Sequence, residues 1–362
     1  MSDLPLSAPG AGVGRSGRVG MLVRRMAHVT GPVLAVVAAL IALWYLACIP
    51  MNAFQSTLDA ERAGATVRPA TAAERRDMGG IALALRNPAT AVSGAYGQER
   101  ARLPAPHQVA AEMWGTTLGL LGDCGETPRE RDRLEAFGRT FETVHEDCLA
   151  PLTSRRSLGF HAGITLAPTL LGFAIGSGLG ILLAIGIVHS RLMDLSVMPW
   201  AIASQTIPIL AIAPMIIVVL NSVGLTGLVP KSIISAYLSF FPVTVGMVKG
   251  LRAPSSADLD LMRTWNASAG RVLRSLRLPA ALPYLFASLK IAVAAALVGA
   301  IVGELPTGAQ RGLGARMLTG SYYGQTVQIW SALFAAALCA ALLVGAVALV
   351  ERATLRTMGQ GR

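Results

Sequence analysis

Charge is what this sequence has little of. Of its 362 residues only 14% are Asp, Glu, Lys or Arg, while 53% are hydrophobic. An ordinary soluble domain carries about 25% charged residues. Mean hydropathy is +0.55, so the soluble globular class is excluded and the chain belongs among membrane proteins. Catalytic signatures are missing too. There is no GxxxxGK[ST] loop to cradle nucleotide phosphates, and Gly227 to Ser232 (GLVPKS) lacks its second Gly. No HExxH, no GxSxG and no pair of carboxylates inside an apolar run occurs. His161 and His189 stand alone near the ends of apolar runs and read as structural. Cysteines are few, four in all. Cys48 and Cys339 lie in apolar runs as inert packing residues. Cys124 and Cys148 lie in a polar segment without metal-ligand spacing, so no metal site is expected.

The net charge is +11, but its basic residues fall between apolar runs instead of forming a soluble basic face with interleaved aromatics. Nucleic acid is therefore not an expected partner. Residues 1–28 are rich in Gly and Arg and read as a tail. Pro32 to Ile49 follows as an uninterrupted apolar run of membrane-crossing length. Arg15, Arg18, Arg24 and Arg25 precede it, as they would a signal peptide. The run is long for one, and no small-x-small cleavage site follows Cys48, so a retained anchor is expected. Residues 51–156 hold 13 Arg and 14 acidic residues and no spanning run.

Five further apolar segments come next, at 162–188, 196–220, 227–248, 283–304 and 327–350. Each is long enough to span as a helix, the form that satisfies its own backbone where water is absent. The expected fold is an all-α polytopic membrane protein of about six transmembrane helices. Gly172, Gly176, Gly178 and Gly180 suit close helix packing in lipid, and Pro208 and Pro214 predict a kink in the third span. With the N-terminus inside, the inner segments together carry +10 of the +11 net charge. Short-loop charge therefore predicts both termini in the cytoplasm. The expected divisions are a tail at 1–28, a first transmembrane helix at 29–50, an extracytoplasmic loop at 51–160, a five-helix core at 161–350 and a second tail at 351–362. If the loop is extracytoplasmic, its compartment permits a Cys124–Cys148 disulfide, worth about 3 kcal/mol. Two free thiols are the alternative.

Between the fourth and fifth spans lies Leu251 to Pro279, LRAPSSADLDLMRTWNASAGRVLRSLRLP. Leu259, Met262, Trp265, Val272, Leu273 and Leu276 recur at helical spacing, with Arg263, Arg271, Arg274 and Arg277 between them. Ser256 and Asp258 can cap a helix start, and Asn266 tolerates the left-handed backbone of a turn. A short helix-turn-helix with Met and Trp exposed suits either docking of a soluble partner or rest on anionic lipid.

This loop resembles the EAA loop of ABC importer permeases, in the branch serving nitrate, sulfonate, taurine and pyrimidine precursors. That motif reads Glu-Ala-Ala, three residues, Gly and, further on, Leu-Pro. Here Asp260-Leu261-Met262 stands in place of Glu-Ala-Ala and Asn266 in place of the Gly, while Leu278-Pro279 closes it. Leu103-Pro104-Ala105-Pro106, Leu171-Gly172-Phe173, Ile207-Pro208, Phe240-Phe241-Pro242, Gly250-Leu251-Arg252 and Gly303-Glu304 with Gly312-Leu313-Gly314 add to the likeness. The tracts 303–310 and 320–325 are similar to permeases for pyrimidine-type substrates.

The resemblance implies a bacterial inner-membrane subunit without its own cofactor. Its partners would be an ABC ATPase dimer carrying ATP and Mg, a second permease in a homo- or heterodimer, an extracytoplasmic substrate-binding protein, and lipid. ATPase docking falls on Asp260, Leu261, Met262, Arg263, Trp265, Asn266, Ala267 and Ser268. The altered signature implies compensating changes in the ATPase, or the degenerate half of a heterodimer.

Polarity within apolar spans nominates Ser204, Gln205, Thr206 and Glu304 for the translocation pathway, against interhelical hydrogen bonding or, for Glu304, a solvated helix end or a pair with Arg311. Lys231 and Lys290 are expected to snorkel, and Trp44, Trp200 and Trp330 to anchor at interfaces. The competing readings are an ATP-independent secondary transporter or channel, which would need coupling groups or inverted repeats, and a receptor built on the outer loop.

Overall fold

The computed structural model describes residues 15–98, 100–119, 157–306 and 311–358, with side chains from residue 31 onward. Among them every regular element is helical, and five helices are long and apolar enough to cross a membrane, or six spans if one bent pair counts as one. The chain is a multi-pass membrane protein. It divides into two compact units, residues 1–108 and 109–362. Cys124 and Cys148 lie outside the described residues.

The first unit is built on α1 (Arg15–Arg62). Val33, Leu34, Val36, Leu40, Leu43 and Leu46 are exposed along it, as a lipid-facing span requires. The helix does not stop at residue 50. Pro50 lies inside it, and the chain beyond folds back as three short helices, α2 (Ala72–Asp77), α3 (Gly80–Arg86) and α4 (Pro88–Gly94). Ala53, Leu83 and Ala91 form the small core they share. Asn52 ties the unit together, because its amide donates to Ala95 O at 2.9 Å and Leu103 O at 2.8 Å and accepts from Leu103 N at 3.1 Å. Asn87 clamps Arg68 in the same way, accepting from its N–H at 2.9 Å and donating to its carbonyl at 2.6 Å. Arg75 is fully buried and pairs with Glu61. The expected loop at 51–160 is thus helical in its first part. Trp44 donates to Pro104 O at 3.1 Å, fixing the chain beside α1. Residues 106–115 form α5 (Pro106–Gly115).

In the second unit, α6 (Leu158–His189), α9 (Leu228–Leu251) and α12 (Leu278–Glu304) are the packed centre. Ser235 and Ser239 of α9 face the glycine ridge of α6. A β-carbon at Gly172 would lie 2.5 Å from Ser232 O, at Gly176 2.7 Å from Ala236 O and at Gly180 2.7 Å from Phe240 O. The other side of α9 meets α12, where a β-carbon at Gly299 would lie 2.8 Å from the Ser235 Cα. Lipid offers little hydrophobic drive between helices, so the close approach that small residues allow is what holds them. Ala184, Ile187, Met247, Leu251 and Ala281 fill one end of this centre. At the other, Leu158, Leu297, Leu313, Ala332 and Cys339 cluster. The last long helix, α14 (Thr326–Thr357), continues past residue 350.

The predicted kink is a full break. Residues 191–222 form α7 (Arg191–Ser204) and α8 (Ile209–Ser222), bent by 99°. Pro208 supplies the N-cap of α8, having no N–H to continue the ladder.

Candidate functional site

Two constellations stand out, and α9 and α12 connect them. The first is the segment between these helices. Its helix α10 (Ser256–Thr264) starts with a capping box: Ser255 accepts from Asp258 N at 3.2 Å, and Asp258 Oδ2 accepts from Ser255 N at 3.1 Å. The cap is therefore Ser255, one residue before the Ser256 expected from sequence. The helix ends at Trp265, where Asn266 takes φ 49° and so occupies the left-handed region. Ala267 N then donates to Met262 O at 3.0 Å and Asn266 N to Arg263 O at 2.9 Å, a Schellman closure. Asparagine thus fills the turn position that glycine usually takes.

No residue of α10 is buried. Leu261 is 50% and Trp265 67% exposed, while Met262 is half-buried. The expected exposed pair was Met262 and Trp265, whereas the turn of the helix presents Leu261 with Trp265. Asp260 pairs with Arg263 at 2.9 Å, with both side chains mostly in solvent, and such a pair contributes well under about 1 kcal/mol. Ala267 and Ser268 follow the turn into α11 (Ala269–Val272) and a π turn at Leu273–Arg277. The π turn was not legible in the sequence. Arg277 reaches back to Leu251 O at 3.5 Å, and Arg252 pairs with Asp194 at 2.8 Å.

The second constellation surrounds Glu304 at the last position of α12. The helix α13 (Leu313–Tyr323) begins there with Gly312 at φ 122°. Glycine has no side chain to cap a helix, so other helices supply the acceptors. Gly312 N donates to His161 Nδ1 at 3.0 Å, Leu313 N to Thr165 Oγ1 at 2.9 Å and Gly314 N to Glu304 Oε2 at 2.8 Å. The Thr165 hydroxyl, used as acceptor by Leu313, lies 3.0 Å from Glu304 Oε1. Lys231 Nζ stands 3.9 Å from the same oxygen.

Glu304 is fully buried and Lys231 8% exposed. A solvated helix end and a pairing with Arg311 are both overturned. The guanidinium of Arg311 stacks over Phe160 at 5.9 Å instead. Lys231 does not snorkel, because an acid is within reach inside the bundle. Lys290 is likewise held, by Glu351 at 2.5 Å. On α13, burial pushes the Arg316 guanidinium down, against the opposing effect of Glu112, whose carboxylate lies 3.5 Å away. Sequence reasoning found Glu304 but missed Thr165, since a threonine in an apolar run carries no signal of its partner.

Ser204, Gln205 and Thr206 lie together at the α7–α8 break, far along the chain from Glu304. The Ser204 hydroxyl donates to Ala201 O at 2.7 Å and that of Thr206 to Ala203 O at 2.8 Å. Tyr237 donates to Ser204 O. Gln205 and Thr206 are exposed. Among the described residues no group of three or more His, Cys, Asp or Glu is placed to hold a metal.

Residues 176–356 match the sequence profile of the binding-protein-dependent transport system inner membrane component. The chain is 38% identical over 158 residues to a probable ABC transporter permease protein of Haemophilus influenzae, covering 44% of this chain and 62% of that protein. It is 35% identical over 162 residues to the formylaminopyrimidine transport permease protein ThiX of Halalkalibacterium halodurans, covering 44% and 63%. It is 31% identical over 196 residues to the riboflavin transport system permease protein RibX of Chloroflexus aurantiacus, covering 54% and 71%. Thus the match spans less than two thirds of the length of the first two.

Proposed function

Because the chain belongs to the family of binding-protein-dependent transport system inner membrane components, we propose that it is the permease subunit of an ATP-driven ABC importer for a small organic solute. The observation that carries the reading is α10, a capped and closed helix with no buried residue that presents Leu261 and Trp265 to solvent. An exposed tryptophan beside a leucine on a well-formed helix is costly to leave in water and suits a hydrophobic socket on a partner. In this reading Asp260, Leu261, Met262, Arg263, Trp265, Asn266, Ala267 and Ser268 dock an ABC ATPase dimer in the cytoplasm. That dimer binds ATP and Mg, and this chain catalyses no reaction. A second permease completes the membrane pore, and an extracytoplasmic binding protein delivers the solute.

Both termini lie in the cytoplasm of a bacterial inner membrane, as the positive short loops favour. The solute is a pyrimidine-type or a sulfonate- or nitrate-like compound, classes in keeping with the names of the relatives for formylaminopyrimidine and aliphatic sulfonates. Ser204, Gln205 and Thr206 at the broken span line the pathway, where discontinuous helices leave backbone groups free to meet a polar solute. Closure of the ATPase dimer would switch the paired permeases between inward- and outward-open states. The test is co-purification of the tagged protein in mild detergent. An ATPase should accompany the parent and be lost with Leu261→Ala plus Trp265→Ala. Absence of any ATPase from the parent overturns the reading in favour of an ATP-independent transporter or channel.

A further inference from the structure

The two constellations occupy opposite ends of one helical hairpin. Helices α9 and α12 run antiparallel, joined by the segment that holds α10. Near that segment a β-carbon at Gly250 would lie 2.8 Å from the Ala281 Cα, and one at Gly246 2.5 Å from the Ser288 Cβ. At the far end Gly303 faces the Lys231 Cα at 3.3 Å. Along this seam the two backbones touch with little side chain between them. The register of α9 against α12 is therefore held along the whole seam, from Gly250 and Ala281 near α10 to Lys231 and Glu304 at the far end. The 27 residues of α12 place these ends about 40 Å apart.

Glu304 also holds α13. Its carboxylate accepts from Gly314 N at 2.8 Å, and Gly312 has no room for a side chain because Glu304 fills that space. At the other end of α13, Gly324 is left-handed at φ 66°. The helix thus lies between two glycines, and side chains of α6 and α12 take up its first amides.

We infer that the Glu304–Lys231 pair is a latch for α13, positioning that helix according to the register of α9 on α12, and so linking it to the α10 end of the hairpin. Sliding α9 by part of a turn draws the Lys231 ammonium from the carboxylate. A buried carboxylate that loses its cation is disfavoured, so its hold on the first amides of α13 weakens. Glu304 is then a positioning residue and not part of a solute-lined pathway. The latch rests on the permease reading only for the identity of the signal at α10. Its test needs neither ATPase nor solute, so failure of the latch and failure of that reading are separable.

The experiment is amide hydrogen exchange on the full chain in lipid nanodiscs, for the parent, E304Q, K231M and the double variant. E304Q and K231M should each speed exchange at residues 313–320 by about tenfold, the loss expected for a hydrogen bond to a charged group, with α6 unchanged. The double variant, which buries no unpaired charge, should return toward the parent. Equal exchange in all four, or additive effects in the double variant, overturns the latch. If a single variant fails to fold, E304D keeps the charge but withdraws it by one methylene, and faster exchange confined to α13 is the expected result. Coupling is read with Gly250→Ala, or Ala281→Gly should that variant fail to fold. Faster exchange at residues 313–320 supports transmission along the seam, and a change confined to residues near 250 overturns it.

Discussion

Asn52 and Asn266 do opposite work with the same side chain. Asn52 is fully buried and spends its amide on three backbone groups of residues 95 and 103. Replacing it with Ala leaves two carbonyls and one N–H without this partner, at about 3 kcal/mol. Asn52→Ala should therefore open residues 80–105 to limited proteolysis while leaving 158–304 protected. Asn266 is valued for its backbone. At φ 49° a β-branched residue is strained, so Asn266→Val should cost about 1–2 kcal/mol and Asn266→Gly almost nothing. Exchange rates of the Ala267 and Asn266 amides measure the difference. Asn266 was legible as a turn because its φ tolerance is intrinsic. Asn52 was not, because a buried asparagine is recognised only by partners brought from some fifty positions away.

At the scale of the element, the glycines of α6 divide by what they face. Gly176 meets the backbone of Ala236, while Gly178 has nothing within 4 Å. Gly176→Ala should lower stability by about 2 kcal/mol through overpacking, and Gly178→Ala should be neutral or slightly stabilising through helix propensity. Thermal unfolding in detergent distinguishes them. The sequence pattern of small residues showed that α6 packs closely, and all four glycines looked alike. Which of them faces α9 follows from helical phase against a partner, and no local property carries that phase. The break between α7 and α8 was legible as a kink because proline removes a donor. Its 99° extent depends on the neighbours that receive the freed groups. Helices α2 to α4 were hidden, since six or seven residues each are too few to show a helical period.

For the molecule as a whole, the expected orientation is a matter of which surfaces share a side of the bilayer. Leu85 in α3 is 77% exposed and Trp265 67% exposed. Each can carry a single cysteine in a chain whose four natural cysteines are replaced by serine or alanine. In intact cells a membrane-impermeant maleimide should label Leu85→Cys and spare Trp265→Cys until the cells are opened. Labelling of both, or the reverse order, would invert the charge-based topology. The membrane class and the approximate number of spans were readable from composition and run length, since both are set by bilayer thickness. The Lys231–Glu304 contact was not, because ionisable residues near span ends ordinarily reach water and only the arrival of α13 seals this pair inside.

The broken pair α7 and α8 bears on how the protein is made. Each has 14 residues, a rise of about 21 Å, short of the roughly 30 Å hydrocarbon core. Neither half is a stable span by itself as the chain emerges from the ribosome and enters the bilayer. Whether it crosses as a broken span or turns back, its freed carbonyls need protein neighbours in place of water, so the segment is expected to settle only where flanking helices shelter them.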